Sequence, residues 1–330
     1  MRKVKIAFIG LNSYSHSTMI YESILKQKEL FEVVGFTCPE NEAEYLAHKM
    51  YVFEGLRELT LDEILENPEI EAVAIETDEI YLTKYALMCA KAGKAIHMEK
   101  PGGCDLAEFE ELINTLKEKG SVFHIGYMYR YNETICEVIR QAKSGELGTI
   151  TAVEAQMNGY QGLEMRQWLK SFKGGMMFFL GCHLIDLIMQ ILGTPQNVVP
   201  FNRSLNIGAD TEDLGLAVLE YKNAVAFAKT TALEVGGFAR RQLVVSGTKK
   251  TVEIKPLEMF AEGDLLYTEK CEYPSMDWDN TKVFTKSEKY DRYDKMMSTF
   301  AEYVRGDKQN PFTLDYELAL NKTVLKACGV

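Results

Sequence analysis

The chain has little that could staple or clip it. Its seven cysteines (38, 89, 104, 136, 182, 271 and 328) are odd in number, far apart and without a Cys-x-x-Cys pair, which excludes a disulfide framework and a thiol-exchange motif. Their expected role is that of buried small hydrophobes. The five histidines (16, 48, 97, 124 and 183) show neither His-x-x-x-His nor His-x-x-Glu-His spacing, so no metal is expected. Positive charge is also scarce. With 37 Lys and Arg against 48 Asp and Glu, the net charge is -11, and such a surface repels a phosphate backbone or an anionic bilayer. No apolar run reaches the ~18 residues that a membrane span needs, and Met1-Arg2-Lys3-Val4-Lys5-Ile6 enters a strand pattern with no signal-peptide core. The expectation is a cytoplasmic protein with a small-molecule partner, no nucleic acid and no membrane. What the sequence does have is core material. Its 330 residues are 46% hydrophobic and 11% aromatic, enough for two domains.

Apolar runs alternate with helical patterns through the first third, the signature of a parallel sheet flanked by helices. Strands are predicted at 4–9, 33–37, 72–76, 95–98 and 122–127. Leu82, Tyr85, Ala86 and Cys89 recur at helical spacing up to a stop at Gly93. Asp105 with Glu108, and Thr60 with Glu63, open two further helices as capping boxes. This predicts a doubly wound α/β domain over residues 1–124. From 125 to 330 the pattern changes to a helix at 132–143 and strands at 149–157, 213–221, 224–233, 242–246 and 251–255. Hairpin turns are predicted at Lys222-Asn223 and Gly247-Thr248-Lys249-Lys250. Helical segments at 290–304 and 315–326 end the chain and could pack back on the first domain.

The turn after the first strand is Gly10-Leu11-Asn12-Ser13-Tyr14-Ser15-His16. At this place dinucleotide-binding folds carry Gly-x-Gly-x-x-Gly, which lets the backbone approach a diphosphate at a helix N-terminus. Only the first glycine is present, although Asn12 tolerates left-handed backbone and Ser15 is small. Where the second strand ends, the acid that would hold an NAD ribose is absent and only Thr37 is available. The turn alone fits a retained or a lost cofactor equally.

Specific motifs follow. Glu99-Lys100-Pro101 closes the fourth strand, Ala72-Val73-Ala74-Ile75-Glu76-Thr77 forms an earlier one, Gly126-Tyr127-Met128-Tyr129-Arg130-Tyr131-Asn132 lies at the domain junction, and Gly181-Cys182-His183-Leu184-Ile185-Asp186 lies on a helix. In this order they resemble the Gfo/Idh/MocA family of glucose-fructose oxidoreductase and inositol dehydrogenase. The resemblance spans most of the chain. It implies a Rossmann domain followed by an α+β domain with a large, mostly antiparallel open sheet, NAD or NADP, a sugar or cyclic polyol as substrate, and a homodimer or homotetramer. It also implies that Lys100 contacts the nicotinamide ribose and the reacting hydroxyl, and that His183 is the general base. Gly10, Asn12, Ser13, Tyr14, Ser15, Thr37, Thr77, Glu79, Glu99 and Lys100 would hold the cofactor. Tyr127, Arg130, Tyr160, Arg166, Trp168, Phe179 and His183 would face substrate.

The sequence also departs from that family. Phe179 stands where an aspartate usually precedes the histidine by one helical turn, and Thr77-Asp78-Glu79-Ile80-Tyr81-Leu82 replaces Thr-Pro-Asn-x-x-His. Phe179 implies an apolar wall and a substrate with an apolar or aromatic group, or weakened dehydrogenase chemistry. A catalytically silent sensor or partner subunit is therefore the rival of the oxidoreductase. Transient oxidation serving elimination or hydrolysis is a third possibility. Bland readings stand beside the sharp ones: His183 as a core histidine, His16 as a solvated helix-start residue, Trp168 as an interface packer, Arg130 as a brace at the junction, and Asp186 as a structural partner.

Overall fold

A computed structural model describes residues 2–276, 278 and 280–330. Two compact units emerge: the residues up to Tyr127 together with Tyr293–Asn321, and Met128–Arg292 together with Lys322–Val330.

In the first unit, β1 (Val4–Ile9), β2 (Phe31–Thr37), β3 (Ala72–Ile75), β4 (Ala95–Met98) and β5 (Phe123–Ile125) form a parallel sheet in the order β2-β1-β3-β4-β5. Helices α1 (Ser17–Lys26), α2 (Glu42–Tyr45), α3 (Leu61–Glu66), α4 (Leu82–Lys91) and α5 (Leu106–Lys119) connect the strands. Burial on both faces is why β3 and β4 are uninterrupted apolar or fully buried runs. Glu58 makes one parallel bridge to Phe36 outside β2, so a further strand is reduced there to a single pairing. Of the two predicted capping boxes one forms in full and the other as its N-cap half. Thr60 and Glu63 satisfy each other at the start of α3, and Asp105 accepts the Glu108 N–H at 2.9 Å ahead of α5. Strand order reverses between β1 and β3, which places the ligand crevice of such a sheet at the carboxyl ends of those strands. Under that crevice Phe8 stacks on Tyr21 at 4.1 Å and Phe36 on Phe53 at 4.1 Å, each ring contributing roughly 1.5–3 kcal/mol by burial. The Tyr21 hydroxyl donates to Gly10 O at 2.8 Å, so the core also grips the turn that follows β1.

The second unit contains α6 (Glu133–Ser144), α7 (Leu163–Trp168) and α8 (Cys182–Leu192). Its strands are β6 (Ile150–Gln156), β7 (Asn197–Pro200), β8 (Leu214–Glu220), β9 (Val225–Thr231), β10 (Gln242–Gly247), β11 (Thr251–Ile254), β12 (Met259–Phe260), β13 (Leu266–Tyr267), β14 (Glu269–Tyr273) and β15 (Val283–Lys286). All but the small β12/β13 ribbon join one sheet in the order β15-β14-β11-β10-β6-β9-β8-β7. Its pairs are antiparallel except β6 with β9. Burial alternates along β8 and β10, the period expected of a sheet with one covered face, and α8 packs on β6 and β9. The two predicted hairpins close through Tyr221 N–H to Ala224 O at 3.0 Å and Gly247 N–H to Lys250 O at 3.1 Å.

Last come α9 (Asp294–Arg305), which packs on α1 and β1, and α10 (Leu314–Ala327). Among the described residues no helix is long and apolar enough to cross a membrane, and no three His, Cys, Asp or Glu side chains are grouped as metal ligands.

Candidate functional site

The carboxyl ends of β1, β2, β3 and β4 gather ten of the predicted positions at or beside the turn at residues 10–16. Gly10 has φ +77°, and a Cβ there would strike Thr77 Cγ2 and lie 2.7 Å from Glu42 Oε1, so backbone and spacing both require glycine. Asn12, wholly buried, organises the turn where a second glycine is missing. Its Oδ1 accepts the N–H groups of Tyr14 at 2.8 Å and Ser15 at 2.6 Å, while Nδ2 donates to Thr77 O at 2.9 Å and Glu79 Oε2 at 3.0 Å. Ser13 is clasped by Asp78: its N–H donates to Oδ1 at 2.6 Å and its hydroxyl to Oδ2 at 2.9 Å. Lys49 Nζ reaches in from the 3₁₀ segment Ala47–Phe53 and donates to the carbonyls of Asn12 at 2.5 Å and Ser13 at 3.2 Å. Thr37 is buried at the end of β2, and its carbonyl accepts the Gly10 N–H at 2.8 Å.

Sequence reasoning passed over Lys49, Asp78 and Glu42. The carboxylate nearest Gly10 belongs to Glu42, five positions beyond Thr37 and fully buried. Its Oε2 accepts the Glu40 N–H at 2.8 Å, and burial raises its pKa against the pull of the backbone N–H groups of Glu40 and Leu11. These segments are distant in sequence, so no local spacing announces them. The one available signal was an acid, Asp78, where the family pattern has proline.

Beside the turn, a relay of hydrogen bonds links β4 to Ser15. Lys100 Nζ donates to Ser15 Oγ at 3.3 Å and lies 3.4 Å from Glu99 Oε1, and the Ser15 hydroxyl donates to that same oxygen at 2.7 Å. Lys100 and Glu99 are both buried. Burial lifts Glu79 to about 8, with the Lys100 charge and the Asn12 bond pulling the other way. Glu76, beneath it, is raised well above the carboxylate range by burial and then by Glu99. His97 is lowered to about 3 by burial. Its 3.3 Å approach to Glu76 is therefore a contact of neutral groups. His97 and His124 meet Nδ1 to Nδ1 at 2.7 Å, which requires one nitrogen to donate and the other to accept.

The substrate-side positions divide. Tyr127 is buried and closes the first unit just after β5. In the second unit His183, near the start of α8, is buried and meets the Tyr129 ring edge-on at 5.6 Å. A π-helical turn, Met177–Gly181, leads into that helix and carries Phe179. Trp168 meets Phe179 edge-on at 5.2 Å and Phe172 at 5.1 Å, so an aromatic cluster stands where the family carboxylate would be. Arg130 spends its fork on Asp186, through Nε at 3.0 Å and Nη2 at 2.8 Å, with Gln190 donating to the same carboxylate at 2.9 Å. Breaking so buried a pair costs about 3–5 kcal/mol. Arg166 donates to Ile207 O at 2.6 Å and Asp213 at 3.2 Å. Tyr160 is 69% exposed and is joined to Leu233 through its backbone.

The donors around Gly10 suit a dinucleotide. The N–H groups of Ser13, Tyr14 and Ser15 converge just ahead of α1, held there by oxygens of Asp78 and Asn12 in the place of a diphosphate, and Lys49 and Lys100 stand alongside. Comparison with known proteins agrees. Residues 4–127 match the model of the oxidoreductase family with an NAD-binding Rossmann fold, and residues 136–253 match the GFO/IDH/MocA C-terminal domain. The uncharacterized oxidoreductase YhhX of Escherichia coli K12 is 29% identical over 70% of this chain and 66% of its own length. The scyllo-inositol 2-dehydrogenase (NADP(+)) IolW of Bacillus subtilis 168 is 26% identical over 49% of this chain and 46% of its own. The chain thus spans between about half and two thirds of these relatives. An oxidoreductase of Desulfitobacterium hafniense DCB-2 assigned as NADPH-dependent superposes with a TM-score of 0.81 at 20% identity, covering 100% of this chain and 95% of that one. GenD2 from gentamicin A biosynthesis, in complex with NAD, has a TM-score of 0.76 at 19% identity, with 100% and 95% covered. The 3-ketoreductase KijD10 of Actinomadura kijaniata, in complex with TDP-benzene and NADP, has 0.77 at 15%, with 98% and 96% covered.

Proposed function

Since the chain belongs to the GFO/IDH/MocA oxidoreductase family, we propose that it moves hydride between NAD(P) and the carbinol carbon of a sugar, cyclic polyol or related secondary alcohol. The observation that carries this reading is the Lys100–Ser15–Glu99 relay. It fixes an ammonium at the carboxyl end of β4, beside the cofactor turn, where open α/β sheets hold their ligands. When bound, the nicotinamide supplies the hydride acceptor or donor.

The chain's own residues supply the rest. Lys100 donates to the substrate hydroxyl and stabilises the alkoxide as it forms, an electrostatic contribution that a preorganised, buried ammonium makes without reorganisation. His183 takes the hydroxyl proton, a task suited to an imidazole because it exchanges protons near neutral pH. Glu99 and Ser15 keep Lys100 in place by hydrogen bonding. Phe179 and Trp168 offer rings instead of a hydroxyl acceptor, so the favoured substrate has an apolar edge, such as a deoxygenated carbon or a hydrocarbon ring. A polyhydroxylated ring would leave a hydroxyl without a partner, which costs binding.

The test is a screen of sugars, polyols, deoxy sugars and cyclic diols, and their ketones, with all four nicotinamide cofactors. Turnover by the wild type is expected, reduced by about 10²- to 10³-fold in Lys100→Ala with cooperative melting preserved. Undiminished turnover in Lys100→Ala would refute the assignment.

A further inference from the structure

Asp78 does to Ser13 what a phosphate group would do. Its two oxygens take the Ser13 N–H at 2.6 Å and the Ser13 hydroxyl at 2.9 Å, a two-point clasp by an anion on a turn that precedes a helix N-terminus. Anions of any kind are favoured there, because N–H groups point outward and the helix dipole adds positive potential. The neighbouring donors are also occupied from within, since Asn12 Oδ1 holds the N–H groups of Tyr14 and Ser15. Lys49 bonds the carbonyls of Asn12 and Ser13; burial lowers its pKa, with the carboxylates of Asp78 and Glu79 pulling the other way. The turn therefore carries its own anion and its own counter-cation.

We propose that Asp78 is a built-in competitor for the diphosphate of the cofactor and thereby sets the affinity of this site for dinucleotides. The proposal rests on the cofactor reading above. A diphosphate entering the turn takes the Ser13 donors only by displacing the Asp78 carboxylate, which must swing out to water. Lys49, already against the turn, then faces the incoming phosphate. Two anions on one set of donors repel each other, so the competition is electrostatic as well as steric. An asparagine at the same position keeps an acceptor for the Ser13 N–H and loses the charge, which separates competition from loop support.

The experiment is calorimetric titration of the purified, cofactor-stripped full chain and its Asp78→Asn and Asp78→Ala variants with NADH, NADPH, inorganic pyrophosphate and adenosine. Both variants are expected to bind the preferred dinucleotide and pyrophosphate about tenfold more tightly than the wild type, because a charge-assisted clasp no longer has to be broken. Adenosine, which lacks the diphosphate, should bind all three proteins equally. Cooperative melting of Asp78→Asn confirms that the turn still folds. Unchanged or weaker binding of dinucleotide and pyrophosphate in a folded Asp78→Asn overturns the competitor role and leaves the cofactor reading standing. Absence of binding to any dinucleotide by every protein overturns both.

Discussion

Glu79 illustrates how a single side chain can tie the site to pH. It is buried, its pKa stands at about 8, and burial is the principal cause. In an unfolded chain it would titrate near the ordinary value of 4.5. The folded protein therefore binds the proton more tightly, and its contribution is fully present below about pH 4.5 and is lost as pH rises through about 8. Glutamine at this position mimics the protonated carboxyl at every pH. In Glu79→Gln, stability relative to wild type should grow between about pH 5 and 8, by a few kcal/mol at most, and level off above that. Urea denaturation of both proteins at intervals across this range measures the difference, and parallel profiles would show that Glu79 does not hold its proton. The same neutrality lowers the count of negative charges around Lys100, which matters to any anionic ligand entering there.

Among the elements, the link into α8 is where a small change should do most harm. Gly174 has φ +83°, and a Cβ would collide with the Cys328 side chain, while the adjacent Gly175 has φ +43° and faces Glu212 O. Glu212 also fastens the turn, accepting the Gly174 N–H at 2.6 Å through its side chain and the Met176 N–H at 2.9 Å through its carbonyl. Gly174→Ala combines left-handed strain with overpacking and should cost about 2–5 kcal/mol. Gly93→Ala, at φ +76° with nothing near its Cβ, should cost only about 1–2 kcal/mol; equal urea midpoints for the two variants would remove the packing argument. The regular elements were legible where burial enforces a period. β1, β3, β4, β8 and β10 coincide with predicted runs because apolar side chains must face a core. β7 and β15 were missed because edge strands lack that constraint, all four residues of β15 being exposed; β14, next to β15, was missed because only one of its five residues is buried. The phosphate turn was legible as a place, through Gly10 and Ser15. Its chemistry was not, since Asp78, Lys49 and Glu42 come from segments that meet it only in three dimensions.

For the molecule as a whole, the acid excess and the local charges at the turn pull on a ligand in different ways. Lys49 and Lys100 are the cations close to the turn, against the carboxylates of Asp78, Glu99 and Glu42, with burial raising the pKa of Glu42. Behind them stands a net charge of -11. A dinucleotide carries its own negative diphosphate, so the long-range field repels it, and salt screens that field over a Debye length of about 10 Å at 0.1 M. Short contacts to the two lysines are screened less, because they lie within a few ångströms and are partly buried. Raising KCl from about 20 to 200 mM should therefore tighten binding of NADH or NADPH, by about two- to fivefold, the reverse of what a basic phosphate site does. Titrations at constant pH across that range test the sign. Weaker binding with added salt would mean that Lys49 and Lys100 outweigh the surrounding acids, and would place the control of cofactor affinity in those two side chains instead of in the charge of the whole chain.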